Sequence, residues 1–75
     1  MTHTFTAVFE EAPEGGYTAF VEELPGAISE GETLDEAREN LKEAIQLILD
    51  ANREVAMRGV DQERLIREEI VVGQD

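Results

Sequence analysis

Residues 15–37, GGYTAFVEELPGAISEGETLDEA, place a tight turn, a strand ending in a Leu-Pro-Gly corner, a short strand and a helix start in such close succession that no long element fits between them. Each part has a local cause. Gly15-Gly16 can take the positive φ values of a tight hairpin. Pro25 fixes φ and ends strand pairing, and Gly26 permits the reversal that follows. Thr33-Leu34-Asp35-Glu36 fits a capping box, in which the Thr33 hydroxyl accepts from the Glu36 amide and the Glu36 carboxylate accepts from the Thr33 amide.

The flanking sequence supplies the remaining elements. Phe5, Ala7 and Phe9 alternate with Thr4, Thr6 and Val8, the period-two pattern of a strand with one buried face. The run breaks at residues 12–16 and resumes over 17–22, which pairs the two strands as an antiparallel hairpin. Residues 27–30 make a third, shorter strand. From Thr33 a helix carries apolar residues at Leu34, Ala37, Leu41, Ala44, Ile45, Ile48, Ala51 and Val55, spaced by threes and fours, so that one face covers the sheet. Gly59 after Arg58 suits a C-terminal cap, and residues 61–67 form a connection or a helical turn. The β-branched residues of segment 69–72 predict a fourth strand, with Gly73-Gln74-Asp75 as a frayed end. The resulting order, β-β-β-α-β, is a two-layer α/β sandwich of the α+β kind: a three- to four-stranded sheet with one long helix across one face, in a single domain spanning residues 1–75.

Charge narrows the partners. Eighteen Asp and Glu face six Lys and Arg, for a net charge of −12, and residues 1–37 hold nine carboxylates and no Lys or Arg. Such a surface repels phosphate, so direct binding of nucleic acid is not expected. The group Glu22, Glu23, Glu30 and Glu32 lies beside a rigid corner, where it can either meet a basic partner or simply keep a small domain soluble. With no cysteine there is neither a disulfide nor a thiolate metal site, which suits a reducing cytoplasm. No signal peptide is recognisable at the N-terminus, and the apolar cluster at residues 45–49 is far too short to span a bilayer. A cytoplasmic domain without membrane association is the expectation.

The ordered set Gly-Gly-Tyr, Leu-Pro-Gly and Gly-x-Thr-Leu-x-Glu-Ala, followed by an amphipathic helix, resembles the N-terminal domain of the HicB-like antitoxin family over about residues 5–49. The resemblance implies a partial ribonuclease-H-like fold and a small basic partner, a HicA-like toxin that cleaves messenger RNA. HicB antitoxins commonly continue into a C-terminal DNA-binding module. None follows the fourth strand here, so autorepression is not expected of this chain. A stand-alone homo-oligomeric domain, serving as a structural or regulatory subunit for another partner, is the alternative.

Catalysis is not expected. A two-metal nuclease needs carboxylates converging on cations about 4 Å apart, and true ribonuclease-H enzymes place an Asp in the first strand, where this chain reads Phe5-Thr6-Ala7-Val8-Phe9. His3 is the sole histidine and lies near the terminus without a Ser or Cys to pair with. Tyr17 suits a half-buried strand position better than a general acid. No cofactor and no metal site are expected. The candidate partner-binding residues are Glu22, Glu23, Leu24, Pro25 and Glu30, with Leu24 as apolar anchor, although Leu24-Pro25-Gly26 also suits a purely structural corner. Phe20, on a sheet face with Thr4, Thr6, Val8 and Thr18 that no second helix covers, joins Leu47 and Leu49 as a candidate interface of a homo-oligomer, a dimer or higher.

Overall fold

A computed structural model describes residues 4–73. Period-two patterning in the first third of the chain becomes strands β1 (Ala7–Glu11) and β2 (Tyr17–Val21), and β3 (Ile28–Gly31) follows the corner. All pairing is antiparallel in the order β1-β2-β3. Register sets Val8 opposite Phe20 and Phe9 opposite Ala19 on one side of β2, and Ala19 opposite Ser29 and Phe20 opposite Ile28 on the other. One cross-strand row, Phe9-Ala19-Ser29, therefore faces the helix, and the next, Val8-Phe20-Ile28, faces away. The third strand begins one residue later than its sequence suggests, because Ala27 still belongs to the corner: its amide donates to the Leu24 carbonyl at 3.2 Å.

The turns follow their glycines. Gly15 and Gly16 both hold positive φ, at 103° and 83°, while the Ala12 amide donates to the Gly16 carbonyl and closes the hairpin. At the corner Pro25 precedes Gly26 at φ 96°, the arrangement of a type II turn, and Leu24 beneath it is only 9% exposed. Both sides of this corner are fixed by packing.

Helix α1 (Leu34–Ala56) opens at Thr33, whose side-chain oxygen accepts from the Glu36 amide at 3.1 Å. The reciprocal half of the box differs from the sequence reading, since the Glu36 carboxylate accepts a long 3.5 Å bond from Glu32 rather than one from Thr33. Three further contacts lock this end of the helix to β3. The Ser29 hydroxyl donates to the Ala37 carbonyl and the Asn40 amide donates to the Glu30 carbonyl, both at 2.8 Å. Gly31 lies so close to the helix that a Cβ there would sit 2.4 Å from the Ala37 nitrogen. The core between the layers is small: Ala19, Val21, Leu24, Ala27, Ala37 and Leu41 are buried, while Phe5, Phe9, Tyr17, Ile45, Ile48 and Leu49 pack around them half-buried.

Two expectations about the second half of the chain are corrected. The helical stripe covers the sheet only as far as Leu49, and Ala51 and Val55 are exposed. Twenty-three residues of helix run about 34 Å at 1.5 Å per residue, whereas a five-residue strand runs about 17 Å. The helix outruns its sheet. Consequently the segment predicted as a fourth strand forms none: after Met57 caps the helix, Gly59 turns at φ 72° and Gln62–Arg64 makes a single 3-10 turn, residues 65–73 carry no regular structure. Ile70, Val71 and Val72 have the β-branched character of a strand and no neighbouring strand to bond to, and it is the ladder that makes a strand.

Candidate partner-binding face

The face of the sheet turned away from α1 is built by strand alternation alone. Val8, Phe20 and Ile28 form an apolar row across its centre, with Phe20 40% and Ile28 60% exposed. One step along the strands toward the hairpin lies the row Glu10-Thr18-Glu30. In the opposite direction, two residues beyond Phe20, stands the exposed Glu22. An apolar centre is thus edged with carboxylates at both ends, the layout of a protein-binding patch with a polar rim.

The five sequence-derived contact candidates divide between two ends of the sheet. Glu22, Glu23, Leu24 and Pro25 lie at the corner, whereas Glu30 lies near the hairpin end. There it lines an open cleft of about 630 Å³ together with Glu14, Glu32 and Glu36. Leu24 points into the core and is no surface anchor. Glu23 is engaged within the chain: its carboxylate accepts from the Thr6 hydroxyl and from the Thr6 amide, each at 2.7 Å, tying the corner to the strand that leads into β1. These two bonds, the side-chain one first, favour the charged form and hold the Glu23 pKa below the usual glutamate range. Glu22, Pro25 and Glu30 remain exposed.

Of the three residues considered for self-association, Phe20 lies in the apolar row and Leu47 is 69% exposed on the outer side of α1. Leu49 instead packs against the core. Sequence reasoning missed Ile28, the third member of the row; a strand in which Ala27 turns inward must turn Ile28 outward, so alternation held the signal. It also missed the Thr6–Glu23 clamp, which joins residues 17 apart and leaves no local pattern.

Tyr17 is half-buried on the helix side, next to the core, as its strand position predicts. His3 lies outside the described residues. Among the described residues no cluster of three or more His, Cys, Asp or Glu is arranged to hold a metal ion, and no helix is long and apolar enough to cross a membrane.

Residues 5–68 match the family model described as the HicB-like antitoxin of bacterial toxin-antitoxin systems. A UPF0150 protein of Synechocystis is 43% identical over 65 residues, covering 87% of this chain and 90% of that protein. A UPF0150 protein of Helicobacter pylori is 51% identical over 39 residues, 52% of this chain and 54% of the relative, and one of Thermotoga maritima is 43% identical over 47 residues, 61% and 63% respectively. No solved structure matches the chain. With the family model spanning both layers of the fold and the first of these relatives aligned over nearly its whole length, this chain belongs to the HicB-like antitoxin family.

Proposed function

We propose that this domain is a non-catalytic, antitoxin-like binding module that occludes a small basic HicA-like toxin, an enzyme that cleaves messenger RNA. The observation that carries the reading is the Val8-Phe20-Ile28 row with Glu22 at one end and Glu10 and Glu30 at the other. A protein that holds RNA must present positive charge, and an acidic surface competes for that charge and steers the approach. The apolar row then supplies the desolvated centre on which affinity depends. Glu22, Pro25 and Glu30 make the contact, while Glu23 and Leu24 hold the corner that presents Glu22. Because its target works on messenger RNA, the module acts in the cytoplasm and has no need to bind nucleic acid itself.

Affinity capture at native expression level, from the cells that make the protein, tests this. The expected partner is a small basic protein that cleaves RNA, recovered in stoichiometric amount and lost when Phe20→Asp breaks the apolar row. Recovery of an acidic partner, or a partner that Phe20→Asp leaves bound, contradicts the reading. The second reading is a stand-alone homo-oligomer acting as a structural or regulatory subunit. It is favoured by the exposed apolar side chains of Phe20, Ile28 and Leu47, which packing of copies would also cover. Capture that returns only copies of this chain and a partner without RNA-cleaving activity supports that alternative.

A further inference from the structure

The described sheet ends at β1, and residues 65–73 join no sheet. On the β1 side of the helix, Phe5, Phe9, Ile45 and Leu49 pack at the edge of the core and stay half-buried, with the Arg38 guanidinium 5.5 Å from the Phe9 ring centroid. Among the described residues no large side chain in the core is completely enclosed. Among the described residues no strand pairs with the edge of β1 beside them. The Glu22 amide donates to the Thr6 carbonyl, and antiparallel ladders alternate, so the backbone groups of Thr6, Val8 and Glu10 turn toward β2. Those of Ala7, Phe9 and Glu11 turn outward as a three-residue template for another strand. Meanwhile Ile66, Ile70, Val71 and Val72 are 78–93% exposed, a density of apolar surface that a free tail does not keep without cost.

We propose that segment 65–72 of one chain adds as a fourth strand to the β1 edge of a second copy. Alternation places Ile66, Glu68, Ile70 and Val72 on one side of that strand and Leu65, Arg67, Glu69 and Val71 on the other. Ile70 and Val72 extend the half-buried cluster of Phe9, Ile45 and Leu49, and Val71 extends the outward row that begins at Val8. Residues 64–67, Arg-Leu-Ile-Arg, carry two positive charges that Glu68 and Glu69 balance, so the segment from Arg64 to Val72 adds no net charge beside a receiving strand that ends in Glu10 and Glu11. Exchange between copies, rather than return to the same sheet, follows from the path of the chain. α1 carries the segment well past the end of its own sheet, and the molecule is drawn out to 52 Å with a radius of gyration of 16.0 Å. A compact chain of this length has a radius of gyration of about 11 Å. The proposal does not depend on the toxin-binding reading, because the added strand bonds to the edge of the sheet and leaves the Val8-Phe20-Ile28 row uncovered.

An isotope-filtered nuclear Overhauser experiment on a mixture of labelled and unlabelled full-length chains reads contacts between copies whatever the register of the added strand. The expected result is intermolecular contact between the methyl groups of Ile70, Val71 and Val72 and the backbone of Ala7 and Phe9, with a solution mass of twice 8.3 kDa. Ile70→Asp should retain the helical circular dichroism spectrum and raise the dimer dissociation constant by at least about tenfold, since it places an unpaired charge in the new core. A mass of 8.3 kDa, the same contacts found only within one chain, or a dimer whose tail touches nothing overturns the proposal.

Discussion

Gly31 shows what single residues contribute here. Its lack of a side chain lets β3 run against the first turn of α1, where an added Cβ would meet the Ala37 backbone at 2.4 Å and 2.9 Å. Gly31→Ala should therefore cost at least the roughly 1 to 3 kcal/mol typical of overpacking, because backbone cannot swing away as a side chain can. Thr33→Ala removes the hydroxyl that accepts from Glu36 and should cost about 0.5 to 2 kcal/mol. Thermal unfolding checks both, and a Gly31 variant melting with the wild type would mean that the strand and helix stand further apart. Glu23 gives a pH signature instead. Its folded-state pKa lies below the unfolded one, so its contribution is present at pH values above the ordinary glutamate range and disappears as the pH falls through the folded value. The melting-temperature gap between wild type and Glu23→Gln should accordingly be widest near neutrality and close on acidification. A gap that stays constant with pH would show that the Thr6 clamp does not depend on the charge.

At the scale of elements, alternation and helical spacing made the hairpin, the Thr33 start and the covering helix legible from residue order, since each is caused by neighbours within a few positions. The fourth strand was misread for the converse reason. Ile70, Val71 and Val72 have strand propensity, but a strand exists only with a bonded neighbour, and no residue in the segment encodes where that neighbour is. Leu24 shows the same limit within the candidate site: a Leu before Pro-Gly reads equally as surface anchor or buried corner, and only the packing against Ala27 and the helix decides. Leu24→Ala should thus destabilise the domain by about 2 to 5 kcal/mol, as large-to-small changes in a core do, a loss that denaturant unfolding will reveal. Charge reversal acts differently. The pair Glu22→Lys and Glu30→Lys should leave the melting temperature nearly unchanged, slow association with a basic partner several-fold, and weaken the dependence of that rate on salt, because steering is screened over about 8 to 10 Å. Stopped-flow mixing at two ionic strengths separates these effects, and unaltered rates would remove both carboxylates from the interface.

Across the whole molecule, a sheet covered on one side leaves an outward face with an apolar centre and acidic rim, and an edge strand leaves an open ladder. The two surfaces are distinct, so the proposed contact with a basic partner and the proposed joining of copies do not compete. Under the second proposal a domain of 75 residues, whose own core is small, would gain stability from assembly without covering the outward face. The claim on which the functional account rests is that the outward face blocks an RNA-cleaving protein. Its most direct test is the rate at which the captured partner cleaves a labelled messenger RNA, measured as increasing amounts of this purified chain are added. Cleavage should fall to background near one domain per toxin, return when salt is raised, and persist when the added chain carries Glu22→Lys and Glu30→Lys. Cleavage undiminished by an excess of the folded wild-type chain would contradict the account.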